Sequence, residues 1–181
     1  MRKTFRSTIF SLSIISSYAV YAGGGYIGGG LGVSDVDQSS KLTPNFAISL
    51  NGGGEITPGF SLGLDIQNYS KKVTDSGISV ELSIVPVLLA PRYHFEQSVN
   101  HGFWAGPAIG FGETKVTFGG LSASKTTFML GAQVGYEFQV SEHFGMGPKA
   151  SYVHSFKATG DTVSVDAFNF YSLLVDLHYL F

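Results

Sequence analysis

The chain has 181 residues, with 11 Lys+Arg, 13 Asp+Glu, 24 Gly, no Cys and 14% aromatic residues. Only 13% of the residues are charged, against about 25% in ordinary soluble domains, so a water-solvated surface would be hard to build from them. No disulfide framework is available without cysteine, and no basic patch suggests nucleic acid as a partner.

The chain opens with a basic start, Met1, Arg2, Lys3 and Arg6, followed by an apolar, Ser-containing run from Thr8 to Val20. Val20 and Ala22 stand at the minus-three and minus-one positions of a cleavage site. That order predicts a secretory signal peptide over 1–22, with Ala19 as the alternative cut. The run is too short for a membrane-spanning helix, which needs about 20 apolar residues. Removing 22 of the 181 residues leaves 159, one domain over 23–181. Arg2, Lys3 and Arg6 go with the leader, so 8 of the 11 basic residues face all 13 acids, a net charge of −5. No later apolar run is long enough to span as a helix.

From residue 24 onward the pattern has period two, which predicts strands. Eight segments are expected: 24–34, 44–56, 60–71, 78–95, 102–118, 126–140, 144–158 and 167–181. The connections at 57–59, 96–101 and 141–143 are mostly tight. Those at 35–43, 72–77, 119–125 and 159–166 are longer and polar. Tight turns at one end and longer loops at the other is the pattern of bacterial outer-membrane barrels, with the turns periplasmic. The predicted fold is all-β, an eight-stranded antiparallel up-and-down transmembrane barrel.

The sixth segment is the clearest. Phe128, Leu130, Ala132, Val134, Tyr136, Phe138 and Val140 alternate with Thr127, Met129, Gly131, Gln133, Gly135, Glu137 and Gln139. The fourth changes phase: Ile78, Val80, Leu82 and Ile84 share one parity and Val87, Leu89, Tyr93 and Phe95 the other, with Pro86 between. A β-bulge near Val85–Pro86 is expected there. In the eighth, Tyr171, Leu173, Val175, Leu177, Tyr179 and Phe181 form an apolar face opposite Ser172, Leu174, Asp176, His178 and Leu180.

Charge placement decides which face points outward. With the apolar phase toward lipid, Asp65, Arg92, Glu137, Lys149 and Asp176 all fall inside. A lipocalin-like cup would have to solvate its whole surface with these few charges. At about 3.3 Å per residue the five groups share a belt roughly 10 to 17 Å above the periplasmic ends. A buried ammonium is costly unless paired. Lys149 is therefore expected to pair with Glu137 or Asp176, and Arg92 with an acid such as Asp65.

The leader, the opening "GGGYIGGGLGV", the strand end "PRYHF", the alternating "FMLGAQVGYEF" and the closing "VDLHYLF" together resemble a small eight-stranded outer-membrane barrel of the OmpA-like or opacity-protein-like class. The resemblance covers the whole of 23–181. It implies a cell outer membrane location, contact with membrane lipid, and a terminal strand read by the barrel-assembly machinery.

Other motifs weaken on inspection. Gly23-Gly24-Gly25-Tyr26-Ile27-Gly28 formally fits a dinucleotide fingerprint, but that needs a preceding strand and a following helix. These glycines read instead as aids to close packing in a narrow barrel. His154-Ser155 resembles the His-x-Ser of barrel-shaped lipid A deacylases, yet adjacency sends the two side chains to opposite faces of a strand. His94, His101, His143 and His178 lack zinc-like spacing. Asp35, Asp37, Asp161 and Asp166 read as solvated loop acids. No catalytic, cofactor-binding or metal-ligating residue is therefore predicted, nor any cofactor. The expected function is a non-enzymatic, monomeric barrel with its lumen filled by side chains and a structural or surface-interaction, adhesin-like role toward an unidentified host or surface ligand. The alternatives are a lipid A-modifying hydrolase and a narrow channel or small hydrophobic-ligand conduit.

Overall fold

The computed structural model describes residues 24–37, 45–75, 78–98, 101–119, 121–159 and 164–181. The expected leader over 1–22 lies outside the described residues. Eight strands follow one another: β1 (Gly25–Asp37), β2 (Asn45–Thr57), β3 (Phe60–Asp75), β4 (Ile78–His94), β5 (Gly102–Phe118), β6 (Leu121–Ser141), β7 (Phe144–Ser155) and β8 (Phe168–Leu180). Each pairs with its sequence neighbours, and β1 pairs antiparallel with β8, closing the barrel. Just past β8, the Phe181 N–H donates to the Gly25 carbonyl at 3.0 Å, and the Gly25 N–H donates to the Phe181 carbonyl at 2.7 Å. Closure is what allows a sheet to cross lipid, since an open edge would leave backbone polar groups unpaired there.

The expected phase holds. In β8, Leu173, Val175 and Leu177 are exposed on the outer wall, whereas Ser172, Leu174, Asp176 and His178 are buried in the lumen. β6 repeats the pattern, with Phe128, Leu130 and Val134 outside and Thr127, Met129, Gln133 and Glu137 buried.

The fourth strand corrects the expected bulge. The pairings Ile66↔Val87 and Tyr69↔Ile84 keep one register on both sides of Pro86. The ladder to β5 runs unbroken from Val80↔Phe118 to Leu89↔Ile109. What changes at Val85–Pro86 is the chemistry of the two faces. Toward the periplasm the outer face is apolar (Val85, Val87, Leu89); toward the outside it carries Ser83 and Glu81, while Leu82 and Ile84 are buried inside. The same inversion occurs along β5 and β6. The outer sets Ile109, Phe111 and Phe128, Leu130 give way to Glu113, Lys115 and to Ser122, Ser124, Thr126, all exposed. Lipid ends at that level, and the strands continue into water.

Accordingly the 119–125 loop expected from the sequence is mostly strand. β6 begins at Leu121, directly opposite Phe118, and Gly119 turns the chain at φ 55°. Lys125 lies in β6 opposite Thr114. β7 stops at Ser155, short of the expected 158, with an isolated bridge between Ala158 and Val165 beyond it.

The lumen has two layers. The periplasmic half holds the charged belt; above it sits an apolar cluster including Tyr69, Ile84, Leu88, Met129, Val153 and Phe170. Eight strands enclose a space just wide enough for such side chains. Glycines keep the wall tight: a Cβ on Gly28 would meet the His178 ring and one on Gly30 the Asp176 carboxylate. The opening glycine run is therefore a packing device. At Gly147 the obstacle is backbone, since a Cβ there would collide with the Tyr136 carbonyl oxygen. Gly147→Ala is expected to destabilise the barrel by about 1–3 kcal/mol in urea unfolding from detergent micelles. Gly119→Ala, which meets no atom within 4 Å, loses only its left-handed turn and stays within about 1–2 kcal/mol of wild type.

Candidate functional site

The periplasmic half of the lumen gathers most of the buried charges among the described residues. Strand pairing places Asn51 opposite Asp65, Ser61 opposite Arg92, Gly135 opposite Lys149 and Gly30 opposite Asp176. Alternation then points all of these polar side chains inward. The Lys149 ammonium lies 2.9 Å from Asp176 Oδ2 and 3.1 Å from Asp65 Oδ2. Asp65 Oδ2 also accepts from Gln67 Nε2 at 2.8 Å and Gln133 Nε2 at 2.6 Å. Asp176 accepts from Ser49 Oγ at 3.2 Å and Asn51 Nδ2 at 3.1 Å. Lys149 is 1% exposed, so this double pairing is what makes its charge tolerable there. The expected inward Lys149, paired with Asp176, is present.

One expected partnership differs, that of Arg92, and the alternative partner named for Lys149 is engaged elsewhere. Glu137 does not reach Lys149; its Oε1 lies 2.8 Å from His178 Nδ1. Arg92 makes no ion pair with Asp65. Its guanidinium sits 4.2 Å from the Trp104 ring centroid and 5.2 Å from that of Tyr26, an attraction to the aromatic faces. Asp65 is already engaged by Lys149 and two amides, while Trp104 occupies the inner face of β5 beside β4. A Cβ on Gly135 would strike the Trp104 ring, so this glycine makes room for the indole. His94 completes the lower layer, its Nε2 2.9 Å from Ser61 Oγ.

A second buried pair stands at the outer end. Asp35 belongs to β1 and is buried, against the expectation of a solvated loop acid. Its Oδ1 lies 2.9 Å from Lys71 Nζ, which also donates to the Val36 carbonyl at 3.0 Å. β1 simply runs further than its pattern indicated, carrying Asp35 over the lumen. Asp37 is exposed at the end of the strand, and Asp161 lies outside the described residues. Asp166 is exposed and 3.2 Å from Lys157.

The histidine-serine pair divides as expected. Ser155 is buried, donating to Thr127 Oγ1 at 2.9 Å. His154 is outside, its Nδ1 2.8 Å from Asn169 Oδ1 and its ring edge-on to Phe156. Tyr152 donates to the same Asn169 oxygen at 2.9 Å. This is an interfacial polar-aromatic girdle, and His154 and Ser155 cannot act on one substrate. Among the remaining histidines, His101 faces Glu96 at 3.5 Å in a periplasmic turn and His143 stacks on Tyr179. Among the described residues no three His, Cys, Asp or Glu side chains form a metal-binding group.

A closed eight-stranded barrel with an apolar outer wall, aromatic girdles and a lumen filled by ion pairs and side chains defines an integral outer-membrane protein. The sequence profile of the outer membrane protein beta-barrel domain matches residues 7–173, and the chain belongs to that family. No curated protein matches the sequence. Among solved structures, Neisserial surface protein A is similar at TM-score 0.67 and 16% identity, over 87% of this chain and 98% of that one. The attachment invasion locus protein Ail of Yersinia pestis is similar at TM-score 0.59 and 19% identity, over 88% and 99%. The outer membrane protein OprG of Pseudomonas aeruginosa is similar at TM-score 0.59 and 15% identity, over 88% and 96%. At these identities the likeness is one of fold.

Lys149→Met leaves two carboxylates buried without their cation. We expect a loss of about 3–5 kcal/mol in unfolding free energy. Lys125→Met, at a partly exposed rim position, should change it by no more than about 0.5 kcal/mol. Adding Asp65→Asn and Asp176→Asn to Lys149→Met should recover part of the loss, because the uncompensated charge is then gone.

Proposed function

We propose that this barrel is a non-enzymatic surface protein, exported by the leader over 1–22, that presents its strand extensions to a partner outside the cell. The observation that carries the reading is the pairing of a filled lumen with extensions whose outer faces are solvated. Lys149, Asp65, Asp176 and the apolar cluster above them fill the lumen with side chains, which argues against a channel. The outward polar residues of β4, β5 and β6 stand beyond the lipid, where only an external partner would meet them. Ail, named for attachment and invasion, has been solved with the heparin analogue sucrose octasulfate; for the present chain, attachment is an extension by likeness of fold. The separation of His154 from Ser155 counts against a lipid A hydrolase.

A deletion strain, compared with wild type for binding to host-cell and matrix surfaces and for its lipid A mass spectrum, tests this. Reduced surface binding with unchanged lipid A is expected. A lipid A change restored by the wild-type gene but not by a His154→Ala copy would replace the proposal with an enzymatic one.

We further propose that β8 is the segment read by the barrel-assembly machinery. Its outer face, Leu173 to Phe181, is continuously apolar, and its end seals the barrel against Gly25. Phe181→Asp should lower outer-membrane levels far more than it lowers refolding yield in detergent. One interfacial side chain contributes only about 1.5–3 kcal/mol of burial, whereas a recognition signal acts on the rate of assembly. Equal losses in cells and in refolding would remove the signal role.

A further inference from the structure

Above the lipid level the barrel wall turns inside out, and the inner side of that extension is a site of its own. Two successive cross-strand pairs of the β5–β6 hairpin, Val116 with Ala123 and Phe118 with Leu121, place apolar side chains on its inner face. Leu82 of β4 lies opposite Val116 on the other side. Across from them stand Val165 and Phe168, from the segment that leads into β8. Together these residues enclose a cavity of about 460 Å³ open to the outside. That volume falls within the range of small-molecule sites, about 300–1,000 Å³.

The cavity is a cup. Leu82 and Phe168 belong to the apolar cluster that fills the upper lumen, and Val116 and Val165 pack against it. Below lies the buried apolar cluster, which floors the cup. The rim is anomalous for a water-facing structure, because Leu121 is 79% exposed and Phe118 53% exposed. Membrane lipid cannot cover them, since the outer face of the same hairpin carries exposed Glu113, Lys115, Ser122 and Ser124. Lining chemistry narrows the occupant. Among the described residues that line the cup, Asp166 is ionisable and is paired with Lys157 at 3.2 Å; Ser164 and, at the rim where the hairpin turns, the outward-phase Ser122 add polar atoms. An anion would meet no lining cation.

We infer that this cup binds a small, uncharged, predominantly apolar molecule arriving from the extracellular side. Held there, the molecule covers the inner face of the hairpin and ties it to the segment entering β8. The site is independent of the attachment role proposed above, and neither reading requires the other.

Amide NMR of the folded protein in phospholipid nanodiscs, titrated with naphthalene, reads the site directly. Saturable shifts are expected at Leu82, Val116, Phe118, Ala123 and Phe168, with none at Val134 or Leu173 on the lipid face. Val116→Trp, which fills the cup from its own wall, should weaken binding about ten-fold or more, some 1.4 kcal/mol. Thr117→Trp, on the outer face of the same strand, should leave binding within about two-fold. Naphthalene-1-sulfonate, the same ring with an anionic group, should bind about ten-fold more weakly than naphthalene. Shifts confined to lipid-facing amides would mean partition into the bilayer and would overturn the site, as would no binding at all. Undiminished binding by a folded Val116→Trp would do the same, and equal binding of the sulfonate would overturn the uncharged class. Should Val116→Trp fail to fold, Leu121→Ser with Phe118→Ser at the exposed rim provides the same comparison.

Discussion

Everything in this molecule depends on the hydrogen-bonded seam between its first and last strands. Within hydrocarbon no water is available to a free N–H or carbonyl, so eight strands joined by only seven ladders, with two open edges, would be no membrane protein at all. β1 and β8 supply the missing ladder from Tyr26↔Leu180 to Asp37↔Asn169. Eight strands then fix the width of the lumen, and the lumen's width dictates its contents. Glycines stand where the Asp176 and His178 side chains need room, an indole slides beside a guanidinium, and one ammonium is shared between two carboxylates.

The belt and the apolar cluster divide the lumen by a single physical rule. Charges brought out of water need partners on every side, and the periplasmic half supplies them from β2, β3, β6, β7 and β8 at once. Where such a set is not available, the lumen is filled by Tyr69, Leu88, Met129 and Phe170 instead. The molecule is therefore sealed twice, once by ion pairs and once by packing. Loss of one seal would leave the other standing.

Much of this was legible in the sequence because barrels write their geometry with period two. Strand number and phase follow from parity, and the inward aim of Asp65, Arg92, Glu137, Lys149 and Asp176 from parity together with charge placement. Partner choice does not, because a lumen side chain has several neighbours across the barrel and parity is silent about which it meets. Thus Arg92 found Trp104 and Tyr26, and Glu137 found His178. Trp104 lies on the inward parity of 102–118 and was the available signal that an aromatic slab would compete for the guanidinium. The phase change at Val85–Pro86 implies a bulge only if the outward face is apolar throughout, and beyond the lipid it is not. Asp35 and Lys125 fall into loops on the same premise, that polar residues past the lipid mark the end of a strand.

That inversion of faces also sets what the cell's surroundings can shape. Beyond the lipid, each strand of the extension has one side that answers to packing, through Leu82, Ile84, Val116 and Ala123, and another that answers only to solvent and to whatever touches it. Glu81, Glu113, Lys115, Ser122 and Ser124 could be exchanged with little effect on folding. The buried inner row would hold the new surface in the old shape. Surface variation and structural constancy are thus assigned to alternate residues of the same few strands.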